Sequence, residues 1–109
     1  MKTLKVAASS KATSLAGAIA WAVRQQEDVQ LVAIGAAAVN QATKAVAIAR
    51  TYLALEGVDL SLTPAFATVE TPNEDERTAL VLGVVPRPAA VVVGPVESLE
   101  AGASAPARD

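Results

Sequence analysis

A chain of 109 residues without cysteine or histidine is sized for one domain and excludes disulfides, thiolate metal sites and histidine acid–base catalysis. Apolar residues make up 52% of it, yet its apolar runs, such as Ala79–Val85 and Ala90–Val93, fall short of the roughly 18 residues of a spanning helix, so the surplus apolar surface points to subunit contacts. The net charge of −2 is unevenly placed: residues 1–55 hold six bases and two acids, residues 56–109 three bases and nine acids.

Met1–Val6 reads as the start of a strand and not as an apolar leader, so a cytoplasmic protein is expected. Over Thr3–Ala8, Leu4, Val6 and Ala8 alternate against Lys5, the pattern of a half-exposed strand. Ser9-Ser10-Lys11-Ala12 is a polar turn, after which Thr13 or Ser14 is the expected cap of a first helix. Leu15, Ala18, Ile19, Ala22 and Val23 give that helix an apolar stripe. Gln30–Ile34 reads as a short buried strand broken by Gly35.

A second helix is predicted from about Val39 to Leu55. It carries Asn40, Gln41, Lys44 and Arg50 among small apolar residues, and Gly57 closes it with a left-handed conformation. Val58–Thr63 alternates as a strand, and Pro64 places that strand at a sheet edge or at a bulge. Pro72–Glu76 is an acidic loop. Arg77–Val85 is apolar on both faces, which suits a central strand.

The predicted order is β-α-β-α-β-β. It implies an α/β two-layer sandwich, with a four-stranded mixed sheet, two helices on one face and the last two strands as a hairpin. Residues 1–86 form the expected domain. Residues 87–109 read as a low-complexity tail, partly disordered, in which Ala90–Val93 is a further short strand candidate.

Catalysis has little to stand on. Ser9, Ser10, Thr13 and Ser14 have only Lys11 as a nearby base, and a capped turn accounts for them. Anion binding has more support. Ser9-Ser10-Lys11 precedes a helix N-terminus, where free N–H groups and the helix dipole favour a phosphate. Asn40 and Lys44 stand four residues apart on one helix face, beside Gln41. Amides and cations in this pattern contact phosphates and sugars without reading sequence. An acidic pI near 5.0 and only three aromatic residues predict a modest, salt-sensitive affinity.

Four segments carry a likeness beyond these patterns: Leu4–Ala20, Ile34–Leu53, Gly57–Phe66 and the stretch from Glu76 to Arg87. In order and spacing they resemble the stage V sporulation protein S (SpoVS) family, which is similar in fold to the Alba superfamily of small nucleic-acid-binding proteins. The resemblance implies that Lys11 contacts the backbone of DNA or RNA, and that Gly35, Asn40, Gln41 and Lys44 line the same surface, with Ser9 and Ser10 in the adjoining turn. It also implies pairing through the second helix and the last strands, into a homodimer or tetramer. The expected function is that of a non-enzymatic nucleic-acid-binding regulator without cofactor or metal. The alternative is an oligomeric scaffolding module of sporulation or cell development, with the acidic loop Glu74–Glu76 meeting a basic partner. A more distant possibility is a phosphometabolite sensor at the Ser9–Ser14 loop.

Overall fold

The structure, a computed structural model, describes residues 1–73 and 75–89. Six elements follow one another: β1 (Lys2–Val6), α1 (Ala12–Arg24), β2 (Val29–Ala33), α2 (Ala36–Ala54), β3 (Val58–Glu70) and β4 (Glu76–Pro88). They form a four-stranded sheet in the order β1-β2-β4-β3. β1 and β2 are parallel, and β4 runs antiparallel to both β2 and β3. The predicted element order and the mixed sheet with its two helices are observed.

The sheet floor follows from alternation along the strands. Val29, Leu31 and Ala33 are buried while Gln30 and Val32 are less so, as side-chain period 2 requires. Register places Leu4, Leu31 and Leu82 in one row, and Val29 beside Val84. The helices pack on this floor through small side chains. Ala16 and Ala20 of α1 and Ala38, Ala42, Ala45 and Ala49 of α2 are almost fully buried. Such faces let two helix backbones approach closely. Ile19, Leu31 and Leu53 are the largest fully buried side chains.

The helix ends differ from the predicted ones at the N-terminal side. α1 starts at Ala12 with Lys11 as its N-cap residue, without a side-chain cap. Neither Thr13 nor Ser14 serves, because both lie inside the first turn. α2 starts at Ala36, three residues earlier than predicted, because Gly35 takes up a backbone turn at φ 90° that favours glycine. At its C-terminal end α1 closes in a Schellman arrangement. The N–H groups of Gln26 and Glu27 donate to the carbonyls of Val23 and Ala22, and Gln26 is left-handed at φ 62°, a place usually taken by glycine. Gly57, also left-handed at φ 75°, turns the chain from α2 into β3 as predicted.

β3 is longer than its alternating start suggested. It runs through Pro64 to Glu70 with unbroken register to β4. Pro64 is tolerated because β3 is an edge strand, so a missing N–H leaves no neighbour unpaired. β4 is central, as predicted, and continues to Pro88, two residues into the expected tail. β2 pairs with β4 only over Leu80–Val84. The turn end of the hairpin, Ala67–Glu70 against Glu76–Ala79, therefore projects as a two-stranded arm past the end of β2. Residues 90–109, including the Ala90–Val93 strand candidate and most of the expected tail, lie outside the described residues, as does Glu74 of the acidic loop. No helix among the described residues is long and apolar enough to cross a membrane.

Candidate nucleic-acid interface

Because β1 and β2 are parallel neighbours, the chain leaves both at the same end of the sheet, and α1 and α2 both begin there. The loop after β1 is a tight turn. The Ser10 N–H donates to the Ala7 carbonyl at 3.0 Å, and the Ser10 Oγ accepts the Ala7 N–H at 2.9 Å. Ser10 therefore spends its hydroxyl on its own turn, while Ser9 stays exposed. Lys11 follows in an extended conformation, its side chain exposed.

Gln41 joins this loop to α2. Its Nε2 donates to the Ser10 carbonyl at 2.6 Å, in a part-buried position. Lys44 is exposed and lies three residues beyond Gln41, one turn along the helix. The three ion pairs of the described residues all use arginine: Arg24 with Glu56, and Arg50 and Arg87 with Asp59. Lys11 and Lys44 thus have no carboxylate partner among the described residues. Neither helix carries an acidic residue in its first turn, and neither has a side-chain cap. Two helix N-termini with open N–H groups stand at one end of the molecule, with Lys11 at the start of α1, while Lys44 lies eight residues into α2, about 12 Å along its axis.

The remaining predicted site residues lie on the other flank of α2. Gly35 and Asn40 line an open groove of about 570 Å³ between α2 and the hairpin, together with Ala36, Val39, Thr43 and Leu80. Phe66 stands at its edge with 81% of its surface exposed. The predicted set is therefore split: Ser10 and Gln41 are bonded, with Lys11 attached to them, while Gly35 and Asn40 face the hairpin. Lys44 lies between the two flanks, since on a helix its direction falls between those of Asn40 and Gln41.

Arg50 and Lys5 are two further cations in the first half of the chain. Arg50 is committed elsewhere. Its Nε donates to Asp59 Oδ1 at 2.6 Å and its Nη2 to Oδ2 at 3.2 Å, tying the second half of α2 to β3. Asp59, only 7% exposed, also accepts the Leu60 N–H and meets Arg87 at 3.5 Å. The Arg50 hydrogen bond first, then that of Leu60, hold its carboxyl down to about 2 against the opposing effect of burial. Lys5 lines a separate cleft of about 400 Å³, with Val32, Ile34, Val69 and Glu70. Sequence reasoning missed the Asp59 cluster and the exposed Phe66. Asp59 sits at a polar position of an alternating strand, and only the approach of Arg50 from α2 and of Arg87 from β4 reveals its setting.

The order of elements and the four-stranded mixed sheet are those expected from the sequence. Residues 2–87 match the family model described as Stage V sporulation protein S (SpoVS), and the chain belongs to that family, whose name ties it to sporulation.

Proposed function

We propose that this protein is a non-enzymatic regulator that binds the backbone of DNA or RNA at the end of the sandwich where both helices begin. One observation carries the reading. Two helix N-termini lie at the same end, both without side-chain caps and without first-turn carboxylates, and neither Lys11 at the start of α1 nor Lys44 two turns into α2 has a carboxylate partner among the described residues. Open N–H groups and aligned dipoles favour an anion there, and the lysines add mobile point charges. The exposed Ser9 supplies a neutral polar contact of the kind phosphates and sugars accept. The proposed surface needs no cofactor. A pI near 5.0 means that the whole-molecule field does not gather polyanions, so binding is weak and salt-sensitive.

The test is fluorescence anisotropy of a labelled random duplex and a labelled single strand, at about 50 mM and about 200 mM salt. Wild type is expected to bind at the lower salt and to lose most of its affinity at the higher. Lys11→Ala/Lys44→Ala is expected to abolish binding without altering the melting temperature. Absence of wild-type binding to either strand form at low salt sinks this reading.

A second reading is favoured by the placement of the aromatic residues. The chain has three, Trp21, Tyr52 and Phe66. They are 63%, 43% and 81% exposed, so the core contains none. Exposed aromatics are common anchors of protein interfaces. On this reading the chain works as an oligomeric scaffold in sporulation or cell development, pairing with itself through α2 and the hairpin.

A further inference from the structure

Among the described residues, Gln41 makes the side-chain hydrogen bond that joins the loop after β1 to α2, across 31 positions of sequence. Its acceptor is the carbonyl of Ser10, the residue directly before Lys11. The same Ser10 is held from the other side, by its N–H on the Ala7 carbonyl and its Oγ under the Ala7 N–H. The backbone entering Lys11 is therefore fixed to β1 on one side and to α2 on the other.

We infer that Gln41 is a positioning residue of the polyanion surface and not one of its contacts: it fixes where Lys11 stands relative to Lys44. The inference rests on the nucleic-acid reading proposed above. Gln41 is half-buried, and an amide turned toward a phosphate would have to abandon a part-buried carbonyl, which is unfavourable. Lys44 stands one turn beyond Gln41 on the same helix, so the bond couples two cations that arise from different elements. Fixing two cations in advance removes the ordering each would otherwise undergo on binding. A neutral amide displaces no counterion of its own, so a positioning role and a contact role leave different salt signatures.

Two variants test this. Gln41→Met keeps the length of the side chain and removes the donor. Ser10→Ala loosens the same turn from the other side and leaves the carbonyl in place. Amide hydrogen exchange is measured on the free proteins, and duplex affinity is measured across a salt series. In Gln41→Met, exchange at Ala7 and Ser10 is expected to accelerate while the core of α2 keeps its protection. Affinity is expected to fall roughly tenfold, the scale of one lost charge-assisted contact. The slope of log affinity on log salt is expected to shrink by about 0.9, one phosphate contact. Adding Lys11→Ala is expected to cause no further loss, since both changes remove the same contact. Ser10→Ala is expected to move exchange and slope in the same direction. A loss that leaves the slope intact and adds to that of Lys11→Ala would make Gln41 a direct contact and overturn the inference. Unchanged exchange in Gln41→Met would overturn it as well, even with nucleic-acid binding intact. A wild type that binds no nucleic acid overturns the polyanion reading instead, and the exchange data still decide whether Gln41 holds the loop.

Discussion

Asp59 is the residue on which most of the polar structure at the far end of α2 converges. Arg50 reaches it from α2, Arg87 from β4, and the Leu60 N–H from its own strand. These partners favour the ionised carboxylate, so its pKa drops from 3.8 to about 2. A group with a depressed folded pKa contributes stability that is complete above its unfolded value and is lost as the pH falls through the folded one. The wild type is therefore expected to lose melting temperature between about pH 4 and about pH 2. Asp59→Asn keeps the shape and removes the charge. It is expected to melt lower than wild type at pH 7, leaving two arginines without their carboxylate, and to show a flatter profile through the acid window. Circular dichroism melts at stepped pH check both parts. Parallel pH profiles for the two proteins would remove Asp59 from the account of acid stability.

At the scale of elements, the notable property is how smooth the α1–α2 contact is. Ala42, Ala45 and Ala49 are fully buried at 0% exposure, as are Ala16, Ala20 and Ile19 of α1, and all six belong to one core cluster. Native interiors are close-packed, so a contact built from methyl groups has no room for a longer chain. Ala45→Leu is expected to cost about 1–3 kcal/mol by overpacking. Ala47→Leu, on the exposed side of the same helix, is expected to stay within about 0.5 kcal/mol. Urea unfolding of both variants makes the comparison, and equal costs would mean that the helices yield at the contact. The small-residue character of α2 was legible in the sequence, but not that Ala42, Ala45 and Ala49 would be buried within the single chain. Also legible were the strand at Arg77–Val85, which is apolar on both faces because it is central, and the edge position of β3, marked by Pro64. The helix starts were less legible. Thr13 and Ser14 are good caps by composition, but Ser10 already closes the turn ahead of them, so the helix begins at Ala12. The bond from Gln41 to Ser10 joins residues 31 positions apart and follows from the packing of α2 beside the loop. No local pattern encodes it. Arg50 reads as one more polar residue of α2 until the packing of that helix beside β3 gives it a buried carboxylate.

At the scale of the whole molecule, the question is what covers the groove beside Phe66. The β3–β4 register sets Phe66 opposite Leu80, and both residues line the groove against Ala36 and Val39 of α2. An aromatic ring and an apolar groove on one surface are the parts of a self-complementary contact: under a twofold axis, each copy places its Phe66 in the groove of the other. The proposed homodimer would thus cover a side chain that is 81% exposed in the single chain. Sedimentation equilibrium is expected to give about 22 kDa, twice the 11.0 kDa of one chain. Phe66→Asp is expected to return the monomer mass, because a carboxylate buried in an apolar groove without a partner is strongly disfavoured. A wild type that sediments as a monomer at high concentration sinks the contact. The same variant relates the two readings of function. Phe66 is an uncharged residue at the groove's edge and releases no counterions, so it has no direct part in the salt slope. If the dimer is the binding unit, Phe66→Asp should roughly halve that slope by removing one of two linked cation sites, with affinity falling through lost avidity. A monomeric variant that binds with the slope and affinity of wild type would instead make the groove and the polyanion surface independent devices on one small sandwich.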